Sequence, residues 1–128
     1  MEKKYNYKNL TVYKESKALV LLVYKLLKKF PREEQYALCD QLRRAVISIP
    51  SNLAEGSGRT SSKDQAHFFE MAYGSLMEVS CQIDIAQELG YITVQEVDLI
   101  EQHVGTIAAL LSGLRSKCLG TTTNSLNH

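Results

Sequence analysis

The sequence has 128 residues and a mass of 14.4 kDa, which suits one domain that buries a core without disulfide or metal cross-links. Hydrophobic residues make up 45% and charged residues 23%, a globular composition that excludes intrinsic disorder as the default. The net charge of +1 argues against a strongly basic nucleic-acid-binding protein held by overall electrostatics.

Opposite charges are segregated along the chain. Residues 1–30 contain eight Lys and two Glu, whereas residues 61–90 contain one Lys and five acidic residues. Basic and acidic side chains are therefore expected on different structural elements.

The cysteines and the longest apolar run indicate the cellular compartment of the protein. Cys39, Cys81 and Cys118 are widely spaced and form no CxxC or Cys/His group, so neither a disulfide framework nor a zinc site is predicted. The longest apolar run, residues 18–23, is too short and too late for a signal peptide or a membrane span. We therefore expect a cytoplasmic protein with no membrane association, metal or cofactor.

The first helix is predicted from Val12 to Phe30, after a polar and aromatic arm at residues 1–8. Asn9 or Thr11 is expected to cap it, and Pro31 ends it because a proline pushes the preceding residue out of the helical region. The line opposite its apolar face is basic and carries Lys14, Lys17, Lys25 and Lys28. This line is either a solvated face or a stripe that binds phosphates or acidic groups.

The second helix is predicted from about Glu33, and Gly56 and Gly58 end it. Pro50 lies inside its apolar pattern, which continues to Leu53, so we expect a kinked but unbroken helix. Beside the apolar seam runs a polar stripe at three- and four-residue steps, formed by Gln41, Arg44, Ser48, Asn52 and Glu55. The stripe is either solvent-facing or folded into a helix or subunit interface, where it would specify register and partner.

The third helix is predicted over residues 63–89, opened by a capping box between Ser62 and Gln65. Its second line includes Gly74 and Ser75, two small residues that favour a tight crossing with another helix.

An ion pair is expected between the second and third helices. Glu78 lies one turn beyond the two small residues, and Arg43 or Arg44 is its candidate partner by charge and spacing. The residues predicted to set register and assembly are therefore Gln41, Arg43, Arg44, Ser48, Asn52, Glu55, Gly74, Ser75 and Glu78.

The fourth helix opens with a second capping box, between Thr93 and Glu96. Its apolar residues recur at alternating three- and four-residue steps as far as Cys118, close to a coiled-coil seam. Residues 120–128 are expected to form a disordered tail.

Four helices with short connections and no strand signal predict an all-α fold, an antiparallel up-down-up-down four-helix bundle over residues 9–119. The apolar lines of its helices carry, in chain order, Leu19, Ile49, Leu76 and Ile107. The apolar surface exceeds one bundle core, because the first helix is apolar around more than half its circumference and the third has two apolar lines. We therefore expect the chain to assemble into a homo-oligomer.

No catalytic or metal-binding set is visible in the sequence. The segment at residues 56–60 lacks the first glycine and the lysine of a phosphate loop, and it follows a helix rather than a strand. Di-iron bundles need two Glu-x-x-His units with further carboxylates, and only Asp64 with His67 comes near. His103 has no evident partner. We therefore do not expect an enzyme.

Two motifs carry a family resemblance: SIPSNLAEG at residues 48–56 and GSLMEV at residues 74–79. Over roughly residues 8–118 the chain resembles the four-helix-bundle family named for proteins encoded in intervening sequences of 23S rRNA genes, also labelled S23 ribosomal protein. The resemblance implies a closed bundle that assembles as a ring-shaped homopentamer. It also implies kinship with the accessory variability protein of diversity-generating retroelements, a pentamer that binds nucleic acid and a reverse transcriptase.

Two functional hypotheses follow. The first is a non-enzymatic, homo-oligomeric helical scaffold, in which the basic face of helix one meets the acidic exterior of helix three within or between subunits. The second is an accessory ring that binds RNA or a nucleoprotein, associated with an rRNA intervening sequence or a retroelement and partnered by a nucleic-acid enzyme. Its phosphate contacts would come from Lys14, Lys17, Lys25, Lys28 and Arg59. The salt dependence of RNA binding distinguishes the two.

Overall fold

The computed structural model describes residues 6–120, which contain four α-helices and no strand. The helices are α1 (Thr11–Leu27), α2 (Leu38–Ser57), α3 (Ser62–Glu88) and α4 (Val94–Cys118). Short 3₁₀ helices, Asn6–Asn9 and Arg32–Glu34, precede α1 and α2. The predicted all-α fold is confirmed. Residues 121–128 of the predicted tail at 120–128, and the first five residues of the arm, lie outside the described residues.

Each helix packs against two others. Helices α1 and α3 both contact α2 and α4, so the four helices surround one core. Polar contacts join the elements around it: Lys29, just after α1, bonds to Glu96 of α4, and Glu70 of α3 pairs with Arg115 of α4. None of the helices between residues 6 and 120 is long and apolar enough to cross a bilayer.

The core takes large aliphatic side chains from every helix. Leu19, Ile49, Leu76 and Ile107 are fully buried, one from each helix, and all lie on the predicted apolar lines. Burying each such side chain stabilises the fold by about 1.5–3 kcal/mol. Ser16 is also buried, and its hydroxyl donates to the Val12 carbonyl at 2.7 Å, so its burial leaves no unpaired polar group.

Both predicted boundaries around Pro31 were wrong. Helix α1 ends at Leu27 rather than Phe30, and α2 begins at Leu38 rather than near Glu33. The reason is a compact connection: the Gln35 amide donates to the carbonyls of Leu27 and Phe30, both at 3.3 Å. These bonds tie the connection to the end of α1, where the Phe30 amide also donates to the Leu27 carbonyl at 3.2 Å, so the chain turns earlier than the apolar pattern indicates.

The start of α1 uses no side-chain cap. Neither Asn9 nor Thr11 is the N-cap; Leu10 is, and it makes no side-chain hydrogen bond there. Its amide donates to the Tyr7 carbonyl at 3.1 Å, because the 3₁₀ helix Asn6–Asn9 leads directly into α1.

The cap of α3 lies one residue before the predicted one. Ser61, not Ser62, accepts from the Asp64 amide at 3.0 Å. The Gln65 side chain donates to the Arg59 carbonyl at 2.9 Å instead of completing a box. Ser61 has the extended backbone that an N-cap needs, whereas Ser62 is already helical.

The predicted capping box of α4 is confirmed. The Thr93 hydroxyl accepts from the Glu96 amide at 3.1 Å, and the Glu96 carboxylate accepts from the Thr93 amide at 2.9 Å. Gly90 ends the preceding turn with a φ of 82°, a conformation that side chains rarely adopt.

Gly56 of α2 and Gly74 of α3 both differ from their predicted roles. Helix α2 is unbroken through Pro50, and Gly56 lies buried inside it rather than ending it. A Cβ at Gly56 would lie 2.9 Å from Phe68 Cβ and 2.9 Å from Phe69 Cε1, so α3 approaches α2 closely there. The tight crossing predicted at Gly74 is wrong for the single chain, since nothing in the described residues lies within 4 Å of its Cβ position.

Candidate functional site

The middle of the predicted polar stripe lies in the contact between α2 and α3. The hydroxyls of Ser48 and Ser75 are 2.8 Å apart. The Asn52 amide donates to the Ser48 carbonyl at 2.8 Å and to the Ser48 hydroxyl at 2.9 Å. All three side chains are partly buried, so this part of the stripe is a satisfied network in a helix interface. We call these three residues, with Gln41, Glu78 and Gln82, the α2–α3 seam.

Gln82 extends the α2–α3 seam and was missed by the sequence analysis. Its side chain is almost fully buried, and its amide nitrogen donates to Gln41 at 3.2 Å and to Glu78 at 3.3 Å. Its Oε1 atom is buried and has no hydrogen-bond partner among the residues that the structure describes. Its position in the sequence could have predicted this role, because Gln82 lies four residues beyond Glu78 on the helix line that carries Ser75.

Two members of the stripe, Arg44 and Glu55, face solvent. Arg44 is exposed, and the exposed Glu55 pairs with Arg59 at 3.0 Å. The Arg59 guanidinium also lies 4.6 Å from the centre of the Phe68 ring. The stripe is therefore neither wholly solvent-facing nor wholly in an interface: Gln41, Ser48 and Asn52 take part in the α2–α3 seam, whereas Arg44 and Glu55 face solvent.

The predicted ion pair with Glu78 does not form. Arg43 donates instead to Asp40 at 3.2 Å and to the backbone and side-chain oxygens of Gln35 at 3.1 and 3.0 Å. Arg43 therefore links the start of α2 to the segment that precedes it, and its hydrogen bonds do not extend to α3. Burial raises the pKa of the neighbouring Cys39 thiol, an effect that the charge of Arg43 partly offsets.

A basic face covers the outside of α1. Its members, all exposed, are Lys14, Lys17, Lys25 and Lys28. None of the four forms an ion pair within residues 6–120. The Lys17 ammonium lies 5.2 Å from the centre of the Tyr13 ring. Arg59, the fifth predicted phosphate contact, differs from them because its charge is paired with Glu55.

A groove of about 560 Å³ lies beside the basic face, between α1 and α2. We call it the α1–α2 groove. Its lining is mainly apolar and includes Tyr13, Val20, Leu21, Ile47 and Pro50, with Lys17 among them. Leu21 and Ile47 are both exposed, so this apolar surface is open to a partner.

The outside of α3 is acidic. Its exposed carboxylates are Asp64, Glu70, Glu78, Asp84 and Glu88. Within residues 6–120 no ion pair joins the four lysines of the basic face to these carboxylates. The meeting of the two faces, within one subunit or between subunits, stays a prediction.

The histidines give no metal site. Across residues 6–120 no group of three or more His, Cys, Asp or Glu side chains is placed to hold a metal ion. Asp64 and His67 are exposed at the start of α3. His103, for which the sequence suggested no partner, has its Nδ1 atom 3.9 Å from the Glu15 carboxylate.

These features define an all-α, four-helix protein whose polar residues lie in a helix contact and on charged outer faces. Residues 8–113 match the model of the family described as 23S rRNA-intervening sequence protein. The match covers most of the sequence, and the chain belongs to this family. The resemblance drawn from the two sequence motifs is thereby confirmed. A search of curated proteins finds no match.

Proposed function

We propose that the chain is a non-enzymatic, homo-oligomeric helical scaffold of the cytoplasm. In this proposal each subunit is an up-down-up-down bundle, and the subunits close into a ring. The family resemblance implies five copies. The scaffold acts by presenting surfaces to its own copies and carries no cofactor.

The up-down order is supported by the polar contacts between helices. In the α2–α3 seam, Gln41 bonds to Gln82 and Ser48 bonds to Ser75, so residue numbers rise along one helix as they fall along the other. Such pairs are expected where consecutive helices run antiparallel with short connections.

The same inverse order joins α4 to both of its neighbours. On α1 and α4, Glu15 lies near His103 while Lys29, further along, bonds to Glu96. On α3 and α4, Glu70 pairs with Arg115 and the later residue Ser80 donates to Glu101.

The observation that carries the proposal is the exposure of large apolar side chains on two separate faces. On α1 and α2, Leu21 is 72% and Ile47 is 41% exposed. On α3, Met71, Ile85 and Leu89 are 42%, 44% and 53% exposed. Apolar surface of this kind marks protein interfaces, and a homo-oligomer covers both faces with copies of one chain.

Analytical ultracentrifugation over a dilution series tests the proposal. Leu21→Gln should raise the dissociation constant of the oligomer by about tenfold, since it places a polar side chain in a buried contact. Leu99→Gln is the matched control, because Leu99 is 44% exposed on α4, outside both faces. Equal effects of the two substitutions, or none from either, would argue against a contact through α1.

A second function, an accessory ring that binds RNA or a nucleoprotein, is favoured by the four lysines of the α1 face, which form no ion pair with any residue between 6 and 120. Four phosphate contacts give a logarithmic salt slope of roughly −3 for single strands. Filter binding at two salt concentrations tests this with Lys14→Gln plus Lys25→Gln, and with Lys63→Gln as a control on α3. No retention of RNA at low salt would rule the function out.

A further inference from the structure

We infer that the subunits join head to tail, with the outer face of α3 of one copy seated in the α1–α2 groove of the next. The inference rests on the proposed homo-oligomer and names the two surfaces that it joins. The contact is heterologous, since each copy offers its groove to one neighbour and its α3 to the other.

The α1–α2 groove has the form that receives a helix. The half-buried Val20 and the buried Pro50 lie within it, while Leu21 and Ile47 stand exposed beside them. Grooves of this kind take the apolar line of an amphipathic helix, which enters with residues at three- and four-residue spacing.

The outer face of α3 supplies such a line. Gly74, Met77, Cys81 and Ile85 follow one another at steps of three, four and four residues, and all four are exposed. Gly74 has open space over its Cβ position, so a side chain of a second copy can approach the α3 backbone there. Met77 and Ile85 are 39% and 44% exposed and are the apolar anchors of this line.

Charge selects this pairing over the alternatives. The groove is bordered by the basic face of α1, whereas Glu78, Asp84 and Glu88 flank the apolar line of α3. A two-fold contact of the groove with itself would place the lysines of two copies together, and a contact of α3 with α3 would oppose its carboxylates. Both like-charge arrangements are costly, so the head-to-tail contact is the favourable one.

Charge reversal tests the inference in the full chain. One variant carries Lys17→Glu and Lys25→Glu, and a second carries Asp84→Lys and Glu88→Lys. Each alone should raise the dissociation constant of the oligomer at least about tenfold, because like charges then face each other. A single chain with all four changes should recover assembly, because its two reversed faces again carry opposite charges. Asp98→Lys on α4 is the control and should leave assembly unchanged.

The outcomes separate this inference from the proposed function. An oligomeric natural chain whose reversals have no effect, or a chain with all four changes that stays dissociated, would overturn the head-to-tail contact and leave the scaffold proposal standing. A monomeric natural chain would remove the scaffold proposal itself. Circular dichroism verifies that each variant keeps its helices.

Cross-linking gives an independent readout, because Cys81 lies on the proposed α3 contact line and is exposed. In a Cys118→Ser background, Leu21→Cys places a second thiol beside the groove. A short bismaleimide should then produce a ladder of trimers and larger species, since every copy offers two different reactive ends. Adding Cys81→Ser should remove the ladder. Products no larger than dimers from the chain with both thiols would contradict a head-to-tail contact.

Discussion

The hydroxyls of Ser48 and Ser75 lie 2.8 Å apart across the contact of α2 and α3, and the Asn52 amide donates to the same Ser48 hydroxyl at 2.9 Å. This small network lies at the centre of the stripe that the sequence singled out. A half-buried network of this kind is satisfied in only one register, because a shifted helix would leave its hydroxyls unpaired. The α2–α3 seam therefore fixes how the two helices align.

Replacing Ser48 and Ser75 with Ala, singly and together, should give a coupling of about 0.5–1.5 kcal/mol in the free energy of unfolding. The coupling is expected because each hydroxyl is the other's partner. Urea unfolding of the four chains measures it. A parallel cycle on Arg44 and Glu78, which do not bond to each other in the chain, should be additive. Additive behaviour of the two serines would contradict the network.

Gly56→Ala should destabilise the fold by about 1–3 kcal/mol, because the new methyl group would overlap Phe68 Cβ, an atom held close to the α3 backbone. Gly105→Ala is the matched control, since Gly105 lies in α4 with open space around its Cβ position. It should stabilise by about 0.5–1 kcal/mol through helix propensity. Thermal unfolding of both variants tests this, and equal stability of the two would show that α3 does not approach α2 at Gly56.

The Lys29–Glu96 pair should make stability depend on acid pH. Hydrogen bonds from the Lys29 ammonium and the Thr93 amide lower the pKa of the Glu96 carboxyl from its ordinary value of 4.5. The folded state then binds fewer protons than the unfolded state, so the stabilisation is complete above the unfolded pKa and is lost as pH falls through the lowered folded pKa.

The comparison of natural chain and Glu96→Gln tests this pH dependence. Urea midpoints from about pH 6 to about pH 3 should converge for the two proteins as the carboxyl is protonated. Lys29→Met should remove part of this dependence of stability on pH, since it deletes the ammonium group that donates to the Glu96 carboxylate. A constant difference between natural chain and Glu96→Gln over this range would contradict the assignment.

The helices themselves were predictable because apolar period and capping residues are local signals. Leu19, Ile49, Leu76 and Ile107 fall on the predicted lines and are buried. The start of α2 at Leu38 was not predictable, because it depends on hydrogen bonds from the Gln35 side chain to the carbonyls of Leu27 and Phe30. Whether these groups come within hydrogen-bonding distance depends on how the chain folds after α1, which apolar periodicity does not indicate.

The candidate site was predictable to the level of a helix face. The four-residue spacing placed Ser48 and Asn52 on one face of α2, but it did not identify which neighbouring helix or loop each side chain contacts. Arg43 was therefore assigned to Glu78, although it bonds to Gln35 and Asp40. Gly56 was misread for a related reason, because a glycine that permits close approach and one that ends a helix look alike in a single sequence.

The number of copies in the natural assembly tests the central claim most directly. Native mass spectrometry of the unmodified chain at micromolar concentration should give one closed species at a multiple of 14.4 kDa, with five copies implied by the family resemblance. A single species at 14.4 kDa under the same conditions would contradict the account, because the apolar faces of α1 and α3 would then have no partner in a homo-oligomer.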